Sequence, residues 1–187
     1  SDPLADVVLP LIDVDVQSEL SRGGVAEGRA QSGNQAMFLG ILLLHARDYL
    51  NVDVQSAIDE WVHFHMKTMN RFGLWGNCRS MSHSLFQNGY HQYELLAYLN
   101  VEGAPWDTMA DAVASLGDEE GHFAPYPGGG GCYDYDAVFL ITGAGEAAVS
   151  RHHDLLLRTR STILAEQNAD GGFAESLSNA FGAAVPV

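Results

Sequence analysis

Two short segments carry side chains that could do chemistry together. His91 and Glu94 are three residues apart, so on a helix they share one face, at a spacing that suits a common metal ion or a proton transfer. The second segment contains Cys132, Asp134 and Asp136. A cysteine thiolate in such a set favours zinc over other metal ions.

These side chains have two possible roles. The candidate catalytic residues are His91, Glu94, Asp134 and Asp136, and the candidate ligands for zinc are Cys132, Asp134 and His91. The alternative is structural, because a carboxylate such as that of Asp134 can accept hydrogen bonds from the free N–H groups at a helix start and gains from the helix dipole. The residues themselves leave both roles open.

Four further histidines occur in two close pairs. His63 and His65 flank Phe64, and His152 and His153 are adjacent. Adjacent helical residues diverge by about 100°, and His63 and His65 also point to different sides, so neither pair makes a good chelate. We expect both pairs to be solvated at the surface.

A glycine signal recurs along the chain and organises the elements that must position these residues. Gly23-Gly24-Val25, Gly73-Leu74-Trp75, Gly121-His122-Phe123 and Gly171-Gly172-Phe173 begin 50, 48 and 50 residues apart. A glycine turn followed by a large apolar residue ends a helix and places the outgoing chain in the core. We therefore predict one domain over residues 1–187, with repeats of about 50 residues that start near 23, 73, 121 and 171.

Apolar residues between these signals follow a helical period. The predicted helices span residues 34–50, 53–70, 87–100, 105–116, 133–141 and 146–167. Each repeat combines an apolar inner helix with an amphipathic outer helix. Strand signals are weak, since Pro10 interrupts the one candidate segment, residues 7–12. The predicted fold is all-α, with helical hairpins that form an open solenoid or a partial or closed α/α toroid.

The segment from Gln167 to Phe173 resembles the Q-x-x-D-G-G-[FW] repeat of the terpenoid cyclase and protein prenyltransferase superfamily, whose fold is an α/α toroid. Residues 128–141 also resemble the segment of prenyltransferase β subunits that begins an inner helix with a zinc-ligand cysteine, here Cys132. In that family an aspartate two residues earlier and a distant histidine complete the zinc site. This chain has Gly130 at the aspartate position.

Three functions are compatible with these features. The resemblance implies an apolar or isoprenoid ligand in a cavity at the starts of the inner helices. The alternatives are a carbohydrate-active hydrolase or lyase on a helical double ring, acting on a glycan through carboxylate, His and Tyr side chains, and a non-catalytic binding domain. A closed toroid has more hairpins than the three predicted, so the chain is part of a longer protein, completes a ring as a homo-oligomer, or forms an open arc.

Composition excludes some partners. The chain has nine Lys and Arg against 24 Asp and Glu, a net charge of −15, which opposes binding to nucleic acid and to anionic membrane surfaces. An acidic surface with a single lysine, Lys67, is typical of proteins from saline environments. No apolar run reaches the roughly 20 residues of a membrane span, so we expect a soluble protein. Cys78 and Cys132 do not define a redox compartment.

Overall fold

A computed structural model describes residues 4–77, 79–126, 128–169 and 171–174. Over these residues the chain forms nine α-helices and no β-strand; a single isolated bridge joins Gln167 and Phe173. The predicted all-α class is confirmed. None of these helices combines the length and the apolarity needed to cross a membrane.

The chain divides into two compact units. The first contains the described residues of Ser1–Arg79 and Ser84–Ala104, and the second those of Ser80–His83 and Pro105–Val187. The helices are α1 (Ala5–Ile12), α2 (Val16–Gly23), α3 (Ser32–Asp48), α4 (Gln55–Thr68), α5 (His83–Tyr98), α6 (Trp106–Ala114), α7 (Cys132–Gly143), α8 (Glu146–Arg151) and α9 (His153–Ala165). Helices α1 to α4 and nearly all of α5 belong to the first unit, and α6 to α9 to the second.

Three helical segments differ from the sequence prediction. The predicted helix over residues 146–167 is wrong as one element, because it is interrupted at His152 and forms α8 and α9. Residues 5–12, where the sequence shows only a weak strand signal, form α1 with Pro10 inside it. Helix α5 begins at His83, earlier than predicted. Such boundaries depend on tertiary packing as well as on local pattern.

Small residues bring α3 and α5 close together in the first unit. A Cβ atom added to Gly33 would lie 2.4 Å from the backbone oxygen of Asn88, and one added to Gly40 would lie 2.1 Å from a methyl group of Leu95. The side-chain amide of Asn88 accepts from the Gly33 N–H at 3.2 Å, and Gln92 donates to the Gly33 carbonyl at 2.9 Å. The two helices are thus joined by polar side chains across a glycine contact.

His65 is part of the aromatic core of the first unit. Its side chain is fully buried, with its ring centroid 3.7 Å from that of Trp61 and 5.2 Å from that of Trp75. Its Nδ1 donates to the Trp61 carbonyl at 2.7 Å. The expectation that His65 is solvated is therefore wrong, because α4 turns this side chain towards the two indoles. His153, in contrast, is solvent-exposed as expected.

Three of the four glycine signals lie in loops with the same backbone hydrogen bonds. In each loop the N–H of the first residue donates to the carbonyl four residues later. The N–H of the glycine, three residues after the first, donates to the carbonyl of the first residue. The bonds are Asn70 to Leu74 and Gly73 to Asn70 (2.7 and 3.0 Å), Asp118 to His122 and Gly121 to Asp118 (2.9 and 3.1 Å), and Asn168 to Gly172 and Gly171 to Asn168 (2.7 and 2.9 Å). The first signal differs, since Gly24 is the left-handed C-cap of α2.

Candidate functional site

The first unit contains a solvent-open cavity of about 620 Å³ beside the N-terminal half of α3. Most of its lining is apolar and comes from α1, α2, α3 and the segments that join them, including Leu11, Leu20, Leu39 and Leu42. Ala36, in the first turns of α3, is also part of the wall.

Three side chains of this lining are polar: Glu19, Arg22 and Gln35. Arg22 forms an ion pair with Glu19, one helical turn away on α2. The backbone carbonyl of Arg22 accepts from Arg29 at 3.2 Å. The only cation in the described lining is therefore already paired with a carboxylate, and the Gln35 amide is the neutral hydrogen-bonding group.

Helix α5 carries the first predicted pair of chemical residues. Glu94 accepts from the Tyr90 hydroxyl at 2.7 Å, and its second oxygen lies 3.3 Å from Nδ1 of His91. The side chains of His91 and Glu94 are partly exposed. The predicted pairing of His91 and Glu94 on one helix face is confirmed, and Tyr90 is a third member that the sequence reasoning missed.

The start of α7 holds the second predicted set, in the second unit. Asp134 is buried, and both of its oxygens accept hydrogen bonds: Oδ1 from the Phe123 N–H and Oδ2 from Nδ1 of His122, each at 2.8 Å. The Nε2 atom of His122 lies 3.5 Å from a carboxylate oxygen of Glu166. We call the buried residues His122, Asp134 and Glu166 the histidine–carboxylate cluster.

Burial dominates the electrostatics of Asp134 in this cluster. Desolvation raises the pKa of Asp134, and the hydrogen bonds from His122 and the Phe123 N–H offset part of the effect. Asp134 therefore has a structural role, because its carboxylate holds the loop before α7 against the helix. Its hydrogen bonds come from that loop, however, and not from the free N–H groups at the start of α7.

Cys132 and Asp136 are close neighbours of this cluster in sequence. Cys132 has a free thiol and is exposed, whereas Asp136 is buried. Partial burial raises the pKa of the Cys132 thiol, and the negative charge of Asp136 adds to the effect. A higher pKa favours the neutral thiol over the thiolate that binds metals.

The predicted zinc ligands Cys132, Asp134 and His91 gain no geometric support. Across the described residues, no three His, Cys, Asp or Glu side chains are grouped so that they could hold a metal ion. His91 belongs to the first unit, and the other two belong to the second. At the aspartate position of the resembling family, a Cβ atom on Gly130 would lie 2.0 Å from Oδ2 of Asp134. A longer side chain has no space there.

No family model, curated protein or solved structure matches this chain.

Neither His122 nor Glu166 is predicted from the sequence as a member of this cluster. His122 lies within one of the glycine signals, at the position held by Leu74 and Gly172 in the equivalent loops. The sequence offers one signal for His122: a histidine stands where the other two loops have leucine or glycine. Glu166 directly follows α9, and nothing in its local pattern distinguishes it from a solvated carboxylate.

Proposed function

We propose that this protein is a helical-hairpin repeat protein, related in architecture to the α/α toroids of prenyltransferases and terpenoid cyclases, that binds an apolar ligand of isoprenoid type. The observation that carries the proposal is the solvent-open, mostly apolar cavity of about 620 Å³ beside the N-terminal half of α3. Its volume is within the range of small-molecule sites, about 300–1,000 Å³. Burial of an apolar chain there contributes about 0.8 kcal/mol for each CH₂ group.

The repeat architecture is supported by the recurring loops. Three loops with the same pair of backbone hydrogen bonds begin at Asn70, Asp118 and Asn168, close to the predicted interval of about 50 residues. The large residue that follows the glycine signal is buried in the first three cases, at Val25, Trp75 and Phe123. Local similarity of this kind is expected when one supersecondary unit is repeated.

The charges around the cavity favour a neutral ligand. Arg22 is already paired with Glu19, and the whole chain carries a net charge of −15. A diphosphate group would therefore be repelled at long range by this net charge. An isoprenoid alcohol could instead form a hydrogen bond with the Gln35 amide.

Displacement of the uncharged dye Nile red tests this proposal. Farnesol is expected to displace the dye from the full chain in a saturable manner, and farnesyl diphosphate at least tenfold less well. Leu39→Trp, which places an indole in the cavity, should weaken farnesol binding about tenfold, or ~1.4 kcal/mol. Leu164→Trp is the matched control, because Leu164 is exposed on α9. Absence of saturable displacement, or equal affinity in the two variants, would overturn the proposal.

A second candidate is a carbohydrate-active hydrolase, favoured by the Tyr90–Glu94–His91 set on α5. A carboxylate between a phenol and an imidazole has the groups for proton transfer at a sugar ring. Release of reducing sugar from polysaccharides would support it if Glu94→Gln, with an unchanged circular dichroism spectrum, abolished the release. Equal activity in the Glu94→Gln variant would remove this candidate.

A further inference from the structure

Two exposed tyrosines lie at one end of the first unit. Tyr49 directly follows α3 and is 71% exposed, more than any other large apolar side chain in the described chain. Tyr98 is the last residue of α5 and is 60% exposed. Each ring leaves a large aromatic surface with a polar hydroxyl accessible to a ligand.

Both rings are held in place by polar and stacking contacts. The Tyr98 hydroxyl donates to Oδ2 of Asp48 at 2.9 Å. Arg47 holds the same carboxylate through its Nε and a terminal nitrogen, at 2.6 and 3.1 Å. Tyr49 stacks on His45, with ring centroids 5.1 Å apart and planes inclined by 21°. We call Tyr49, Tyr98 and Asp48 the tyrosine platform.

Asp48 links the two tyrosines, because it accepts the hydrogen bond of the Tyr98 hydroxyl and directly precedes Tyr49 in the chain. The pKa of Tyr98 is raised, first by its hydrogen bond to Asp48 and then by the charge of that carboxylate, with a smaller contribution from Tyr49. The pKa of Asp48 is lowered, chiefly by its hydrogen bond from Arg47. At neutral pH the platform therefore presents the neutral phenol of Tyr98 and the ring of Tyr49 beside a paired carboxylate.

We infer that the tyrosine platform is a binding site for a neutral oligosaccharide. A pyranose ring has apolar C–H faces and hydroxyl groups around its edge, and these complement an exposed aromatic face with polar groups beside it. Because the rings and the carboxylate are already held, little conformational freedom is lost when a ligand binds. The charge of Arg47 is compensated by Asp48, and the acidic chain repels anionic sugars.

This site is independent of the proposed apolar-ligand function. It shares no residue with the cavity lining, and it requires no catalytic step. Loss of saccharide binding would leave the farnesol result unchanged, and the reverse also holds.

Affinity electrophoresis and calorimetry on the full chain test the inference. The probes are neutral β-1,4-linked and β-1,3-linked glucose and xylose hexasaccharides. At least one is expected to bind with a Kd of about 0.1–1 mM, typical of a small contact area. Tyr49→Ala and Tyr98→Ala should each weaken this binding at least tenfold, whereas Tyr49→Phe, which keeps the ring, should bind within about twofold of the unaltered chain.

Tyr135→Ala is the matched control, because Tyr135 is a 62% exposed tyrosine on α7 in the second unit. Its binding should equal that of the unaltered chain. The inference is overturned if no hexasaccharide binds, if the control loses as much affinity as Tyr49→Ala, or if a proline-rich decapeptide binds through the two tyrosines and the sugars do not. Circular dichroism and thermal unfolding verify that each variant is folded.

Discussion

His65 shows how a single side chain can couple the first unit to pH. Burial lowers the pKa of His65 to about 3, and the hydrogen bond to the Trp61 carbonyl opposes this shift. The folded protein therefore keeps the ring neutral, whereas the unfolded chain binds a proton near the ordinary value of about 6.5. Above pH 6.5 both states are neutral and the stability is complete.

As the pH falls from 6.5 towards 3, only the unfolded state gains this proton, so the free energy of unfolding should decrease. The decrease from this group is about 1.4 kcal/mol per pH unit. Urea unfolding between pH 7.5 and 4.5 measures it. His65→Phe should remove this part of the slope, and His153→Gln, at an exposed position, should retain it. An unchanged slope in His65→Phe would contradict the assignment.

Gly130 is packed closely against the histidine–carboxylate cluster. Its φ is not positive, so space alone excludes a side chain, and an added Cβ would also lie 2.7 Å from Nδ1 of His122. Gly130→Ala should therefore lower the free energy of unfolding by about 1–3 kcal/mol. In a double-mutant cycle with Asp134→Ala the cost should fall, because the clashing oxygen is gone. Strict additivity of the two changes would show that the contact is unimportant.

At the scale of elements, side chains complete the recurring loops. Oδ1 of Asn70 accepts from the Phe72 and Leu74 N–H groups, at 2.9 and 3.3 Å, and its amide donates to the Gly76 carbonyl at 3.0 Å. The carboxylate of Asp118 accepts from three backbone N–H groups, those of Glu120, His122 and Gly128, at 2.9–3.1 Å. Desolvation acts to raise the pKa of Asp118, but these hydrogen bonds outweigh it and the net pKa is lowered.

Asn70→Ala and Asp118→Ala should each reduce the free energy of unfolding by about 1–3 kcal/mol, because backbone donors in the loops lose their acceptor. The exchange variants Asn70→Asp and Asp118→Asn retain an acceptor oxygen and should lose less than half as much. Denaturant unfolding of the four variants provides the comparison. If the exchanges are as harmful as the alanine changes, these hydrogen bonds do not stabilise the loops.

Some of the helix boundaries could be predicted from the sequence. The periodic apolar residues and the glycine signals predicted α3, α4, α6 and α7 within a few residues, since both features act locally. Neither feature could predict α1, in which Pro10 stands inside a helix, nor the interruption at His152. Both depend on which neighbouring helices the segment packs against.

At the scale of the whole molecule, the net charge of −15 should make stability depend on salt. Self-repulsion among carboxylates is long-ranged at low ionic strength and is screened when the Debye length shrinks from about 30 Å at 0.01 M to about 3 Å at 1 M. We therefore expect the midpoint of thermal unfolding to rise by several degrees between 0.01 and 1 M NaCl. Calorimetry in NaCl and KCl of equal concentration checks this, because screening does not distinguish the two salts. A midpoint that is constant or falls would exclude self-repulsion as a limiting factor.

The sequence by itself determined the helical class, the acidic character and the pairing of His91 with Glu94, because these follow from composition or from spacing within one turn of a helix. Only the tertiary structure decided that His65 is buried between two indoles, and that His122 and Asp134 meet with Glu166. It also brought Tyr98 to Asp48, 50 residues away. The contact of His65 with Trp61 lies within α4, one helical turn apart. The other contacts join residues on different elements, and their partners are chosen by how the chain packs, which no local spacing encodes.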